Sequence, residues 1–130
     1  MTPSVEAQLL SLTQELLSAI GSKDWNRYAE LCDESLTCFE PEARGHLVAG
    51  LEFHRYYFGL SGSGGQRNTT LSSPHVRVMG DHAAVVSYVR LVQYLDGNGQ
   101  PQTAEVEETR VWEKRQGKWK HVHFHRSHNN

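Results

Sequence analysis

Three arginines stand inside segments that otherwise read as buried strands: Arg90 in Tyr-Val-Arg-Leu-Val-Gln, Arg110 in Glu-Thr-Arg-Val-Trp and Arg126 in His-Phe-His-Arg. Side chains alternate faces along a strand, so each arginine shares a face with an aromatic two residues away, namely Tyr88, Trp112 and Phe124. A guanidinium on such a semi-apolar face needs a carboxylate partner or an anionic ligand. Two arrangements meet that need. Arg90, Arg110 and Arg126 either form structural ion pairs with Glu105, Glu107, Glu108 or Asp81, or converge on a pocket that holds a carboxylate or phosphate by bidentate hydrogen bonds.

Strand register separates the two. Two-residue turns at Gly97-Asn98 and Gln116-Gly117 would set Arg90 opposite Glu105 and Arg110 opposite His123, placing consecutive arginines on opposite faces. Convergence therefore requires a bulge or an odd loop, which the glycines at both turns permit.

His121, His123 and His125 alternate along the last strand and would share one face, a spacing that can supply nitrogen ligands to zinc. No cysteine, histidine or carboxylate at recognisable ligand spacing completes the set. The expectation is strand-surface or interface histidines and no metal site. His54, beside Arg55, is the histidine placed to face a pocket. No Ser, His and Asp set announces a nucleophile, and no cofactor motif survives its context: Gly62-Ser-Gly64 follows no strand, and Asp96-Gly-Asn98-Gly lacks the closing glutamate of a calcium loop.

These residues must be positioned by an α+β arrangement. Val5, Leu9, Leu12, Leu16 and Ile20 form one stripe down a first helix, with Thr2 and Pro3 at its start and Gly21 at its end. A short second helix carries Trp25, Tyr28, Leu31 and Cys32, capped by Ser22 or Asp24. A strand at 36–40 stops at Pro41, and a third helix is expected over 47–58 despite Gly50. The Gly- and Ser-rich stretch 59–65 reads as a mobile loop. Antiparallel strands follow at 74–79, 83–95, 103–115 and 118–126. Helices first and long strands afterwards predict a cone, a strongly curved sheet wrapped around the long helix and open at one end, where pockets form.

With 130 residues the chain is one domain, spanning 1–130. Its net charge of −2 does not favour nucleic acid, and full protonation of eight histidines would carry it to +6, so acid could disturb fold or assembly. The opening helix is amphipathic and resembles neither a signal peptide nor a membrane span, so the reading is a soluble chain. Cys32 and Cys38 fit two reduced thiols filling the core of a cytoplasmic protein.

A longer pattern runs through the chain: Cys32-Asp33, Phe39-Glu40-Pro41-Glu42-Ala43, Phe53-His54-Arg55, Ser73-Pro74-His75, Gly80-Asp81, Tyr88 to Tyr94, Glu107 to Trp112, and Gly117-Lys118-Trp119 leading to Val122-His123-Phe124-His125-Arg126-Ser127. From Glu6 to Ser127 the chain resembles the association, or hub, domains of calcium/calmodulin-dependent protein kinase II. The resemblance implies the cone-shaped fold of nuclear transport factor 2 and the ketosteroid isomerases. It implies a non-catalytic role in two stacked rings, typically dodecamers or tetradecamers, that hold kinase domains at high local concentration. It also implies a pocket for small carboxylates or peptide segments at His54, Arg90, Arg110 and Arg126, with Tyr28 near its mouth, whose clustered guanidiniums an anion would relieve. The same resemblance brings in kinase subunits as partners through mixed assembly. The chain starts a few residues ahead of its first helix and reads as a hub without its kinase, whether excised or standing alone. The alternative is a ketosteroid-isomerase-like or polyketide-cyclase-like enzyme using the same pocket with His54 as base, although no Asp or Glu is evidently placed beside it.

Overall fold

In the computed structural model, which describes residues 3–60 and 67–127, the chain begins with helix α1 over Val5–Ser22. Ser4 caps it, its hydroxyl accepting from the backbone N–H of Ala7 at 3.1 Å. Thr2, expected at this cap, lies outside the described residues. At the other end Gly21 stays helical, and Lys23 takes the left-handed conformation at φ 58°. The Asp24 N–H then reaches back to the Ala19 carbonyl at 2.8 Å, so the helix closes just as the next begins. Leu9, Thr13, Leu16, Leu17 and Ala19 are buried, while Val5, Leu12 and Ile20 from the expected stripe sit half-buried at its border. The Thr13 hydroxyl avoids an unpaired burial by donating to the Leu9 carbonyl at 2.8 Å.

Asp24 also caps α2, Trp25–Leu31, by accepting from the Arg27 N–H. Strand β1 follows directly over Cys32–Phe39, longer than expected. A 3-10 turn at Pro41–Ala43 leads to a two-residue strand, β2, at Val48–Ala49, and then to α3 over Glu52–Phe58. The third helix is thus shorter than the 47–58 expected. Gly50 at φ 86° breaks the chain between strand and helix, and its N–H bonds to the Leu36 carbonyl at 2.7 Å. The Gly- and Ser-rich stretch falls outside the described residues from 61 to 66.

Four long strands complete the chain: β3 Asn68–Met79, β4 Ala83–Leu95, β5 Pro101–Arg115 and β6 Lys118–Arg126. β3 begins six residues before the expected 74–79. It is an edge strand, and its irregularity at Ser73-Pro74, with Ser73 at φ 51°, absorbs a proline that a central strand would not tolerate. The sheet order is β2-β1-β6-β5-β4-β3. It is mixed rather than wholly antiparallel, because β1 runs parallel to β6. No hairpin joins those two strands, so the direction of β1 is set by where α2 delivers the chain.

Helix α1 packs across β3 and β4 on the inner face of the curved sheet, where Trp112, Val86, Leu36 and Phe124 meet Leu9 and Leu16. This is a helix-on-sheet α+β domain. Among the described residues no helix is long and apolar enough to cross a membrane.

Candidate functional site: an arginine and glutamate pocket

Two one-residue shifts in register build the site. The β4–β5 connection is a five-residue loop, 96–100, closed by Leu95 opposite Pro101, so Arg90 faces Val106 and Arg110 faces Val86. Asp96 organises this loop: its Oδ1 accepts from the N–H groups of Asn98 at 2.9 Å and Gln100 at 3.0 Å, which hold its carboxyl below the usual range. On the other side the Gln116-Gly117 turn pairs Arg115 with Lys118 as expected, but a bulge at Val122 intervenes before Val111 pairs with His123. Arg110 therefore lies opposite Phe124, and Glu108 opposite Arg126. With both shifts, Arg90, Glu108, Arg110 and Arg126 share the inner face.

The same bulge separates the histidines. His121, opposite Trp112, turns inward and is fully buried, whereas His123 and His125 stay on the outer face with Thr37 and Phe39. The three do not share a face, and the zinc spacing noted on this strand is not realised.

All five pocket residues expected from the sequence, Tyr28, His54, Arg90, Arg110 and Arg126, line one cavity of about 220 Å³. Ile20, Tyr57, Phe58 and Phe124 supply its apolar wall, and Glu40 and Glu42 its acidic rim. Tyr28 is deeper than a mouth residue: it is 1% exposed and packs on Phe58 at 4.9 Å between ring centroids. Burial pushes its phenol pKa well up, so it is neutral.

At the base, Glu108 is the hub of a buried network. Its Oε1 accepts from the Tyr88 hydroxyl at 2.6 Å and from Arg110 Nη2 at 3.2 Å, and its Oε2 accepts from Arg90 Nη1 at 3.3 Å. Burial alone would push the carboxyl up, but Arg110 and Arg90 outweigh it and hold Glu108 below the usual carboxylate range. Arg110 is 1% exposed; its Nε donates to the Tyr88 oxygen at 2.8 Å and its guanidinium stacks 4.5 Å over the Phe124 ring. Burial works against its charge, but Tyr88 and Glu108 raise its pKa above the usual value.

Arg110 Nη1 also lies 3.4 Å from His121 Nε2. A guanidinium only donates, so Nε2 accepts and the His121 proton sits on Nδ1, 3.5 Å from Cys32 Sγ. Burial first, and Arg110 second, hold His121 well below its ordinary pKa and keep it neutral.

At the rim, Arg126 Nη2 bonds Glu42 and lies 3.7 Å from Glu40 Oε2. His54 Nε2 faces Glu40 Oε1 at 3.1 Å and Cys38 Sγ at 3.4 Å. A carboxylate does therefore stand beside His54, against the sequence expectation; Glu40, two residues past Cys38, arrives there because the chain continues extended before the Pro41 turn.

Of the carboxylates expected as ion-pair partners, Glu105, Glu107, Glu108 and Asp81, only Glu108 is paired with these arginines. The arginines converge, and three of them are matched by three glutamates, Glu40, Glu42 and Glu108. The expected store of guanidinium repulsion is thus offset by internal carboxylates. Tyr88 and Glu108 were visible in principle, each two positions from an arginine on its own strand face; Glu40, Glu42 and Cys38 carried no such signal, because their places depend on how β1 meets β6.

The description "Calcium/calmodulin dependent protein kinase II association domain" belongs to the family model that matches residues 5–130. The chain is 49% identical over 122 residues to the delta subunit of rabbit (Oryctolagus cuniculus) calcium/calmodulin-dependent protein kinase type II, covering 92% of this chain but 23% of that protein's length. It superposes on the Chlamydamonas reinhardtii CaMKII hub homology domain with a TM-score of 0.90, 54% identity and coverage of 95% of this chain and 98% of that one. At the level of fold alone it matches a nuclear transport factor 2-like protein of Salmonella enterica, with a TM-score of 0.74, 23% identity and coverage of 95% and 89%. By sequence and by architecture, this chain belongs to the calcium/calmodulin-dependent protein kinase II association domain family.

Proposed function

We propose that this chain is a non-catalytic association domain that assembles with copies of itself into a closed two-layered ring, a dodecamer, tetradecamer or larger. The observation that carries this reading is the placement of exposed apolar side chains at both ends of β4. Val78 and Met79, 38% and 45% exposed, stand at the β3–β4 turn, and Leu95, 65% exposed, ends the same strand. The two positions are separated by roughly 40 Å of strand. A third group, Tyr56, Tyr57 and Leu60, lies around the end of α3. One self-complementary patch makes a dimer, whereas a ring needs at least two dissimilar ones.

Such a ring would hold whatever is tethered to it at high effective concentration, including kinase subunits recruited by mixed assembly. Two buried cysteines with no disulfide between them suit a reducing compartment, and we place the assembly in the cytoplasm. The pocket is read as a site for a small carboxylate or an acidic peptide segment. Arg90 and Arg126 each reach their glutamates through one nitrogen, and Arg90 Nε has no partner, so donors remain for a ligand. The non-catalytic reading rests on the family match rather than on the pocket, since Glu40 beside His54 is a pairing that a general base could also use.

Light scattering on Leu95→Glu and Met79→Glu tests the assembly. Each variant is expected to stay folded and to give a particle of smaller mass than the wild type. Unchanged mass in both would remove the exposed apolar ends from the account.

A further inference from the structure

Three potential ligand atoms converge at the acidic side of the pocket: Cys38 Sγ, Glu40 Oε1 and His54 Nε2, all within 4.8 Å of one another. Cys38 comes from the end of β1, Glu40 lies just beyond that strand, and His54 sits in the first turn of α3. The sulfur is 3.4 Å from Nε2, and Nε2 is 3.1 Å from Oε1. Ligand atoms sharing a tetrahedral zinc ion are separated by roughly 3.3 to 3.6 Å, as follows from the usual Zn–S, Zn–N and Zn–O bond lengths.

The group is poorly satisfied by protons alone. Although the Cys38 sulfur lies within reach of His54 Nε2, Glu40 Oε1 and His54 Nδ1 are buried with no hydrogen-bond partner. The two side chains are 9% and 8% exposed, so water reaches them little. With Glu40 on the metal, Glu108 and Glu42 leave one of the three neighbouring guanidinium charges unmatched, while the charge of the ion itself is cancelled by the Cys38 thiolate and the Glu40 carboxylate.

We infer that Cys38, Glu40 and His54 form a zinc site, with three protein ligands and a fourth position open to the pocket. The sulfur, nitrogen and oxygen donors suit a borderline-soft divalent ion better than calcium or magnesium. Binding replaces the thiol proton: the S–H bond breaks, a Zn–S bond forms and one proton leaves to solvent. Apparent affinity therefore tightens by about tenfold per pH unit while the thiol is the titrating ligand. The inference does not rest on ring assembly or on carboxylate binding.

The test uses the whole chain, stripped with a chelator and kept in carboxylate-free buffer. Zn²⁺ is titrated against a chromophoric competitor, and Co²⁺ is added separately to look for a thiolate-to-metal charge-transfer band. One Zn²⁺ per subunit and a thiolate band are expected. Cys38→Ala should abolish the band and weaken Zn²⁺ by roughly a hundredfold or more, exceeding the loss typical of an outer partner, while Cys32→Ser retains both. Glu40→Gln provides a second variant that leaves the core sulfur in place, and it should weaken Zn²⁺ without removing the band. Absence of a thiolate band in the wild type, or Zn²⁺ uptake equal in wild type and Cys38→Ala, would overturn the assignment and attribute any uptake to the other histidines.

Discussion

The Tyr88 hydroxyl donates a 2.6 Å hydrogen bond to Glu108, its direct register partner across β4 and β5. That contact places a buried carboxylate where it can hold Arg90 and Arg110 together, and it is the keystone of the pocket floor.

Removing Glu108 leaves Arg110 charged, buried and without its carboxylate. Glu108→Ala is expected to cost about 3 to 5 kcal/mol of subunit stability, while Tyr88→Phe, which deletes one hydrogen bond to a charged group, costs about 2 kcal/mol. Denaturant unfolding at matched protein concentration measures both, since assembly makes stability concentration-dependent. Equal small losses would contradict the network.

Acid should destabilise the domain through His121. The folded state holds this imidazole neutral, whereas the unfolded chain protonates it below about pH 6.5. The unfolded state then binds more protons, so stability is fully present above that pH and falls as pH drops, by up to about 1.4 kcal/mol per unit for this one group. His123, lowered by burial and by His125, adds in the same direction. His121→Leu should show a shallower decline between pH 6.5 and pH 5 than wild type in urea titrations. An identical slope would remove His121 as the sensor.

Much of this site was legible before its geometry. Period-two spacing put an aromatic beside each arginine, and the family resemblance brought Tyr28, His54, Arg90, Arg110 and Arg126 together. β4 and β6 were bounded correctly, because turn residues flank them on both sides. Register was not legible: one extra residue in the 96–100 loop and one at Val122 reverse which face each arginine takes, and neither leaves a mark in the hydrophobic pattern. The parallel β1–β6 pairing was equally hidden, and with it the meeting of Glu40, Cys38 and His54.

Both thiols should be inert in the native state. Burial is the main cause that pushes Cys32 and Cys38 each up to about 12, so neither supplies much thiolate at neutral pH. A chromogenic disulfide reagent is expected to titrate two thiols per chain in denaturant and almost none without it. Fast reaction of one thiol under native conditions would mean that the pocket opens.

If the pocket takes small carboxylates, its partly exposed arginines are the donors. A small carboxylate should raise the melting temperature of the wild type by mass action, and Arg90→Gln and Arg126→Gln should each abolish the rise with modest loss of stability. Arg110→Ala is a poor probe, because that residue is buried in the structural network. An undiminished rise in both glutamine variants would contradict the pocket reading.

Native mass spectrometry at low micromolar concentration and neutral pH tests the proposed ring most directly. A single closed assembly is expected, a dodecamer, a tetradecamer or larger. A monomer or dimer under those conditions would contradict it.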